Sequence, residues 1–384
     1  MRNVVISGIG QTPVREHWDA SMRELAVTAV LEAMDNAGIQ DADALYVGNM
    51  LSGTLANQEH LGALIAENAG LEGIEAVKIE AACGSAAAAF RQAVLAVASG
   101  HVDTAIAVGV EKLTEMSGRS TTQGLAAAAD ADYETAMGLS FVAINALLMR
   151  RYMYEYKYEK RDFAQFAINA HQNAAHNPNA MFRAAVSPEQ YDRAKMIADP
   201  INLLDSSPVG DGAAAAIVTA ADYQQTSNSK PISIAACEVA TDTIALDNRE
   251  NPLHLKGVER STARALKTGG FSQKDIDFFE LHDAFSIMSA LSLEAAGFSD
   301  RGKAVQRIAD GEFGIRSNLP ISTFGGLKGR GHPVGATGLY QIAEAVQQLR
   351  HEAPEAIQIP GAKTAMIQNI GGSGATVITS ILRI

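Results

Sequence analysis

Cys83 stands where a short apolar stretch gives way to an alanine-rich run. Residues 76–80 read as a buried strand, Ala81-Ala82-Cys83-Gly84-Ser85 as a sharp turn, and the alanines 86–89 as the opening of a helix. A thiol at such a turn feels the positive end of the helix dipole and free backbone N–H groups, both of which favour thiolate. A single nucleophilic cysteine is a recurrent catalytic device. The alternative is a structural cysteine packed in the core, the commoner fate of a lone thiol. The local sequence leaves both open.

The composition bounds what that thiol could serve. The chain has 384 residues, 47% of them hydrophobic, enough for two packed units or one large α/β body. Two cysteines, Cys83 and Cys237, rule out a disulfide framework and fit a reducing cytoplasm. The opening residues 1–8 lack the apolar region of a signal peptide and read as a first strand. No apolar stretch reads as long and uninterrupted enough to span a bilayer, so no membrane partner is expected. A net charge of −12 argues against nucleic acid, because phosphate neutralisation needs a basic face. A local basic patch for a smaller anion stays possible. No metal site is expected, and a dinucleotide loop at Gly8-Ile9-Gly10 fails because Pro13 stands where a third glycine is required.

The elements that must position Cys83 come in a repeated order. Residues 24–36 read as a helix closing at Ala37-Gly38-Ile39, then Asp41-Ala42-Asp43 leads into an apolar strand over 44–47. Residues 259–267 read as a helix closing at Gly269-Gly270-Phe271, then Asp275-Ile276-Asp277 leads into a strand over 278–281. Each half opens on a strand, 4–8 and 232–236, and each closes on a glycine turn before an apolar strand, at 209–218 and 370–378. Alternating apolar strands and helices imply mostly parallel sheets covered by helices. Matched features in one order point to an internal duplication. The repeat sets the stretch 331–338 against the turn carrying Cys83, so His332 occupies the turn before a helix over 339–349. It also sets His282-Asp283 against Gly48-Asn49. A pseudo-two-fold would bring these turns to one cleft. The expected division is 1–113 with 206–228 as one half, 114–205 as a helical, mixed-charge insertion, and 229–384 as the other half.

Six motifs in this order give the chain its specific resemblance. They are Cys83-Gly84-Ser85, Met137-Gly138-Leu139-Ser140, Ala170-His171-Gln172-Asn173-Ala174, Asp211-Gly212-Ala213-Ala214, His282-Asp283-Ala284-Phe285 and Gly331-His332-Pro333-Val334-Gly335-Ala336-Thr337-Gly338. Together they resemble the thiolases across essentially the whole length. The resemblance implies an α/β thiolase fold, five-layered αβαβα from two similar halves, and a homodimer or homotetramer. It also implies acyl transfer between coenzyme A thioesters, with no resident cofactor because coenzyme A arrives as substrate. The variant is similar to the archaeal and sterol-carrier-protein type, since common thiolases carry Asn-Glu-Ala-Phe where this chain has His282-Asp283-Ala284-Phe285. Common thiolases also place a second cysteine in Cys-x-Gly near the C-terminus. Here Asn369 occupies that place in Asn369-Ile370-Gly371, and Ala284 stands where sterol-carrier-type relatives can place a cysteine. Cys237, in the opening strand of the second half, reads as core.

The resemblance assigns Cys83 as the acylated nucleophile and His332 as the partner that takes its proton. The backbone N–H groups of Cys83 and Gly371 are the implied oxyanion donors. His282 is the candidate for binding the thioester oxygen in carbon–carbon bond formation, with Asp283 either orienting it or capping locally. Asn369 is expected to hold a water or a substrate polar group, since an amide does not titrate usefully. For coenzyme A, Arg150, Arg151, Lys157, Lys160 and Arg161 interleave with Tyr152, Tyr154, Tyr156 and Tyr158, although an amphipathic helix with a solvated basic side explains them equally. Ala136 replaces a substrate-contacting histidine of common thiolases, implying an altered acyl pocket. The leading expectation is condensation of two acetyl-CoA to acetoacetyl-CoA. The alternatives are a 3-ketoacyl-CoA thiolase for longer or branched chains, or a thiolase-like subunit in a complex with a 3-hydroxy-3-methylglutaryl-CoA synthase and a zinc-ribbon/OB-fold protein.

Overall fold

The computed structural model describes residues 2–223 and 229–384, so the end of the expected first half at 228 lies outside the described residues. Nine strands form the main sheet: β1 (Val4–Gln11), β2 (Ala44–Gly48), β3 (Glu75–Ile79), β4 (Thr104–Glu111), β5 (Gly212–Ala220), β6 (Ile232–Thr241), β7 (Phe278–Glu280), β8 (Thr364–Gly371) and β9 (Thr376–Arg383). Their spatial order is β3-β2-β4-β5-β1-β6-β9-β8-β7. The halves meet at one short antiparallel seam, Val5 opposite Ser233 and Ile6 opposite Ile232. Outward from that seam, the first half runs first, fifth, fourth, second and third strand. The second half repeats the order, with a lone parallel bridge between Phe279 and Ile321 in the place of a third strand.

The sheets are mixed rather than mostly parallel, which corrects the expectation from alternation. β5 runs antiparallel to β1 and β4, and β9 antiparallel to β6 and β8, while β2 runs parallel to β3 and β4, and β7 parallel to β8. The reason is the short glycine turn at 372–375 that folds β9 straight back on β8, where a parallel strand would need a long crossover. β3 is not buried as expected. It is the outermost strand, with Val77 44% exposed.

Among the described residues the principal helices are α1 (Met22–Ala37), α2 (Ser85–Ser99), α3 (Phe141–Tyr156), α4 (Ala164–Ala174), α5 (Lys256–Gly269), α6 (Ser286–Ala295) and α7 (Thr337–Arg350), of which α1, α2, α5 and α7 pack directly on the sheets. α1 begins on a capping box between Ser21 and Glu24 and ends at Gly38 in the left-handed region, as its sequence dictates. α2 and α7 lie against each other between the two half-sheets, while α1 and α5 cover the outer faces. The result is the five-layered αβαβα order. Small residues make the central layer thin. A Cβ on Gly48 would sit 2.4 Å from Ala86 Cα, and one on Gly338 would sit 2.6 Å from the Ala87 nitrogen. The run Ala82–Ser99 is, by length and composition alone, apolar enough to cross a membrane, contrary to the reading that no stretch is. Its apolarity belongs to this double-faced layer, where 61% of the run is buried inside the protein.

Residues between β4 and β5 build a mainly helical cap containing α3 and α4, with a two-stranded ribbon of Met196–Ala198 and Ile201–Asn202. The buried Asp211 carboxylate closes its neck by accepting the N–H groups of Leu113 (2.7 Å), Thr114 (3.1 Å) and His17 (3.0 Å).

Candidate active site

Cys83 sits at the mouth of α2 on a braced turn. Ala82 adopts φ +50°, a conformation that costs a residue with a Cβ about 1 kcal/mol or more. Ser85 offsets that cost: its Oγ accepts the Ala81 N–H at 2.9 Å and donates to the Ala82 carbonyl at 2.6 Å. Gly371 backs directly onto this turn, because a Cβ there would lie 2.3 Å from the Ala81 carbonyl oxygen. Only glycine lets β8 approach so closely.

His332 follows Gly331, whose φ of +109° and contact with Val14 admit no side chain. Its Nδ1 lies 2.6 Å from Thr337 Oγ1. The His282 ring meets the His332 ring edge-on, with centroids 5.2 Å apart and planes at 83°. Asn369, fully buried in β8, places its Nδ2 3.1 Å from His282 Nδ1. With the amide nitrogen facing the ring, Asn369 donates, His282 Nδ1 accepts and the ring proton sits on Nε2.

Cys83 and His332 line one cavity of about 150 Å³, walled by Leu113, Leu125, Phe141, Val142, Phe285 and Val334. The structure thus gathers the five residues expected of the site: Cys83 and His332 at the cavity, His282 behind His332, Asn369 behind His282, and Gly371 against the Cys83 turn. The insertion contributes to the wall through Thr122, Leu125, Phe141 and Val142.

The electrostatics reverse one expectation. Burial pushes the Cys83 thiol up to about 12, and the Glu111 carboxylate adds to it, while the N–H groups of Gly372 and Cys83 itself pull the other way. The helix terminus does not outweigh desolvation. Burial also holds His332 well below the usual imidazole range, with His282 and Arg330 acting in the same direction. His282 falls to about 3, chiefly through burial, against the opposing Asp283. These shifts favour a neutral thiol beside neutral imidazoles over a thiolate–imidazolium pair.

Other expected residues lie elsewhere. Asp283 does not orient His282. Its Oδ1 accepts the Leu327 N–H at 2.7 Å, and its carboxylate pairs with Lys328 at 3.2 Å, so it holds the glycine-rich loop before His332. Arg150 is paired with Asp199, Arg151 with Glu155 and Arg161 with Asp192. Tyr152 is buried and donates to Glu294 at 2.5 Å, with Tyr156 and Tyr158 packed around it. Tyr152 and Tyr158 tie the cap to the second half through Glu294 and the Gly302 carbonyl, and none of these residues lines the Cys83 cavity. Nor does Ala136. Cys237 is free, buried core, receiving the Ser380 hydroxyl at 3.3 Å.

Glu111 was not anticipated. Wholly buried at the end of β4, it accepts N–H groups from Met50 (3.0 Å), Leu51 (3.2 Å) and Gly335 (3.0 Å), and the Asn49 amide at 3.0 Å. Burial raises its carboxyl to about 7 against those donors. It clamps the His332 turn of one half to the other half. The signal was a single charge closing the apolar run 105–110.

Comparison with known proteins bears on the same elements. The family model described as thiolase, N-terminal domain, matches residues 4–222, and that described as thiolase C-terminal domain-like matches residues 239–384. An acetyl-CoA acetyltransferase of Methanothermobacter thermautotrophicus is 41% identical, covering 99% of both chains. One of Methanocaldococcus jannaschii is 39% identical over all of this chain and 99% of its own. Human sterol carrier protein 2 is 28% identical, over 99% of this chain and 72% of its own. Among solved structures, the Ltp2-ChsH2(DUF35) aldolase superposes with a TM-score of 0.86 at 24% identity, covering 99% of this chain and 97% of that one. Human mitochondrial 3-ketoacyl-CoA thiolase gives 0.77 at 18%, over 100% and 99%. With both halves matched and the nucleophile turn, histidine turn and layered fold in place, the chain belongs to the thiolase family.

Proposed function

We propose that this thiolase transfers acyl groups between coenzyme A thioesters through an acyl-Cys83 intermediate, condensing two acetyl-CoA to acetoacetyl-CoA and free CoA. The observation that carries the reading is the shared cavity of Cys83 and His332, with the second imidazole edge-on behind. The acetyl-CoA acetyltransferases, alike over their whole length, favour acetyl over longer or branched chains.

In the first half-reaction the Cys83 sulfur attacks the acetyl carbonyl as its proton passes to neutral His332. Proton transfer concerted with attack suits a thiol held at about 12, because a free thiolate never accumulates. The N–H groups of Cys83 and Gly371 receive the oxyanion. His332 then gives its proton to the departing CoA sulfur. In the second half-reaction His332 takes a proton from the α-carbon of the second acetyl-CoA. The Nε2–H of His282, held as a donor by Asn369, stabilises that substrate's thioester oxygen. The resulting carbanion attacks the acetyl-Cys83 carbonyl and expels the Cys83 sulfur, which takes the proton back from His332 and restores the neutral thiol and imidazole. Residues 114–205 serve as the acyl-CoA-binding cap between the halves 1–113 with 206–228 and 229–384. The working molecule is a homodimer or homotetramer, to be read by light scattering.

The test separates the two half-reactions. Radiolabelled acetyl-CoA should label Cys83 in the wild type and in His282→Ala, whereas acetoacetyl-CoA formation should fall by about a hundredfold or more in His282→Ala. Cys83→Ala should lose both. Loss of labelling in His282→Ala as deep as the loss of condensation overturns the division of labour, and turnover retained in Cys83→Ala overturns the covalent route.

A further inference from the structure

The hydroxyl of Thr337 stands between two groups that compete for its single proton. At 2.6 Å is His332 Nδ1, and at 3.1 Å is the Pro333 carbonyl oxygen, one helical turn back at the start of α7. A carbonyl oxygen only accepts, so the proton that Thr337 donates goes to Pro333. This back-bond is common for a threonine near a helix start. The oxygen then has lone pairs to offer, and the imidazole nitrogen at 2.6 Å must supply the hydrogen. Thr337 is fully buried and His332 only 6% exposed, so water does not readily replace either partner.

We propose that Thr337 is a positioning residue that fixes His332 as the Nδ1–H tautomer, leaving Nε2 unprotonated to receive the Cys83 proton. The inference rests on the reading of His332 as the base and adds the residue that makes it one. The relay runs Nδ1–H of His332 to Oγ1 of Thr337, then Oγ1–H to the Pro333 carbonyl. When the thiol proton reaches Nε2, the imidazolium keeps Nδ1–H on Thr337, so no second proton has to move. The opposite tautomer would point a hydrogen at the thiol and leave it no acceptor. Asn369 imposes the reverse state on His282, with Nδ1 accepting and Nε2–H donating. The two rings, 5.2 Å apart, are thereby held as one acceptor and one donor.

The tautomer can be read directly by ¹⁵N-histidine NMR of the full chain, with the His332 signals assigned by their loss in His332→Gln. The wild type should show a protonated, pyrrole-type Nδ1 and a pyridine-type Nε2. Thr337→Val, which keeps the shape and removes the oxygen, should shift the proton towards Nε2 and slow acetylation of Cys83 about ten- to a hundredfold. Thr337→Ser should restore both. A pyrrole-type Nε2 in the wild type overturns the proposal even if the valine variant does not fold. So does Thr337→Val with the wild-type tautomer, or Thr337→Ser as slow as valine. If His332→Gln acetylates Cys83 at the wild-type rate, the assignment of the base fails instead, and the Nδ1 reading still stands or falls separately.

Discussion

At the scale of single residues the balance is between desolvation and the helix terminus. Cys83 has a helix dipole and backbone N–H groups on its side, contributions worth about 0.3–2 kcal/mol. Removing a charge from water costs several kcal/mol, and the neighbouring Glu111 adds to it. Desolvation wins. The sign gives a prediction: a raised thiol pKa means the thiolate fraction grows about tenfold per pH unit well beyond neutrality. Iodoacetamide inactivation should therefore keep rising through pH 10, where an ordinary thiol levels off near pH 8.5. A plateau in the rate near that lower pH would show that the helix terminus dominates after all.

At the scale of elements, the small residues of α2 and α7 set how closely the central layer packs. An exposed glycine inside a helix ordinarily gains about 0.5–1 kcal/mol on replacement by alanine. At Gly338 the added Cβ would lie 2.6 Å from both the Ala87 nitrogen and Asn369 Oδ1. Overpacking of that kind costs about 1–3 kcal/mol, so Gly338→Ala should lower stability in urea denaturation rather than raise it. The variant should also weaken condensation, since Asn369 holds His282. Equal or greater stability would mean that the layer yields more easily than its packing suggests. These contacts also mark what the sequence made legible. Cys83, His332, His282, Asn369 and Gly371 could be named because each stands in a local motif or at a repeated turn. Glu111 escaped notice because its partner Gly335 lies across the boundary between the halves, and Thr337, although inside the 331–338 motif, because its contact with His332 depends on how that turn folds into α7. Parallel pairing was overestimated for a different reason, since alternation along a chain does not reveal the hairpin return that sets β9 antiparallel to β8. The strand over 75–79 looked buried because apolar content does not reveal which strand lies at the edge.

For the whole molecule, neither half has a complete core. α2 packs against α7, and β1 pairs with β6, so either half alone would leave its own central helix covered on one face only. A fragment of residues 2–223 should accordingly lack the cooperative thermal transition of the full chain. A sharp transition in that fragment, seen by calorimetry, would mean that the halves are independent folding units. The polypeptide is written as a repeat, yet its stability is expected to be single.

The clamp at Glu111 extends that unity to the time domain. The Gly335 amide is donated to Glu111 across the boundary between the halves, 3.0 Å from an oxygen that no solvent reaches. Its hydrogen is sheltered from deuterium until that bond breaks, whether by local opening of the 334–336 turn or by parting of the halves. That one N–H therefore times the release of the His332 turn from Glu111, and exchange as slow as that of the core strands would mean the turn lets go only when the whole molecule opens.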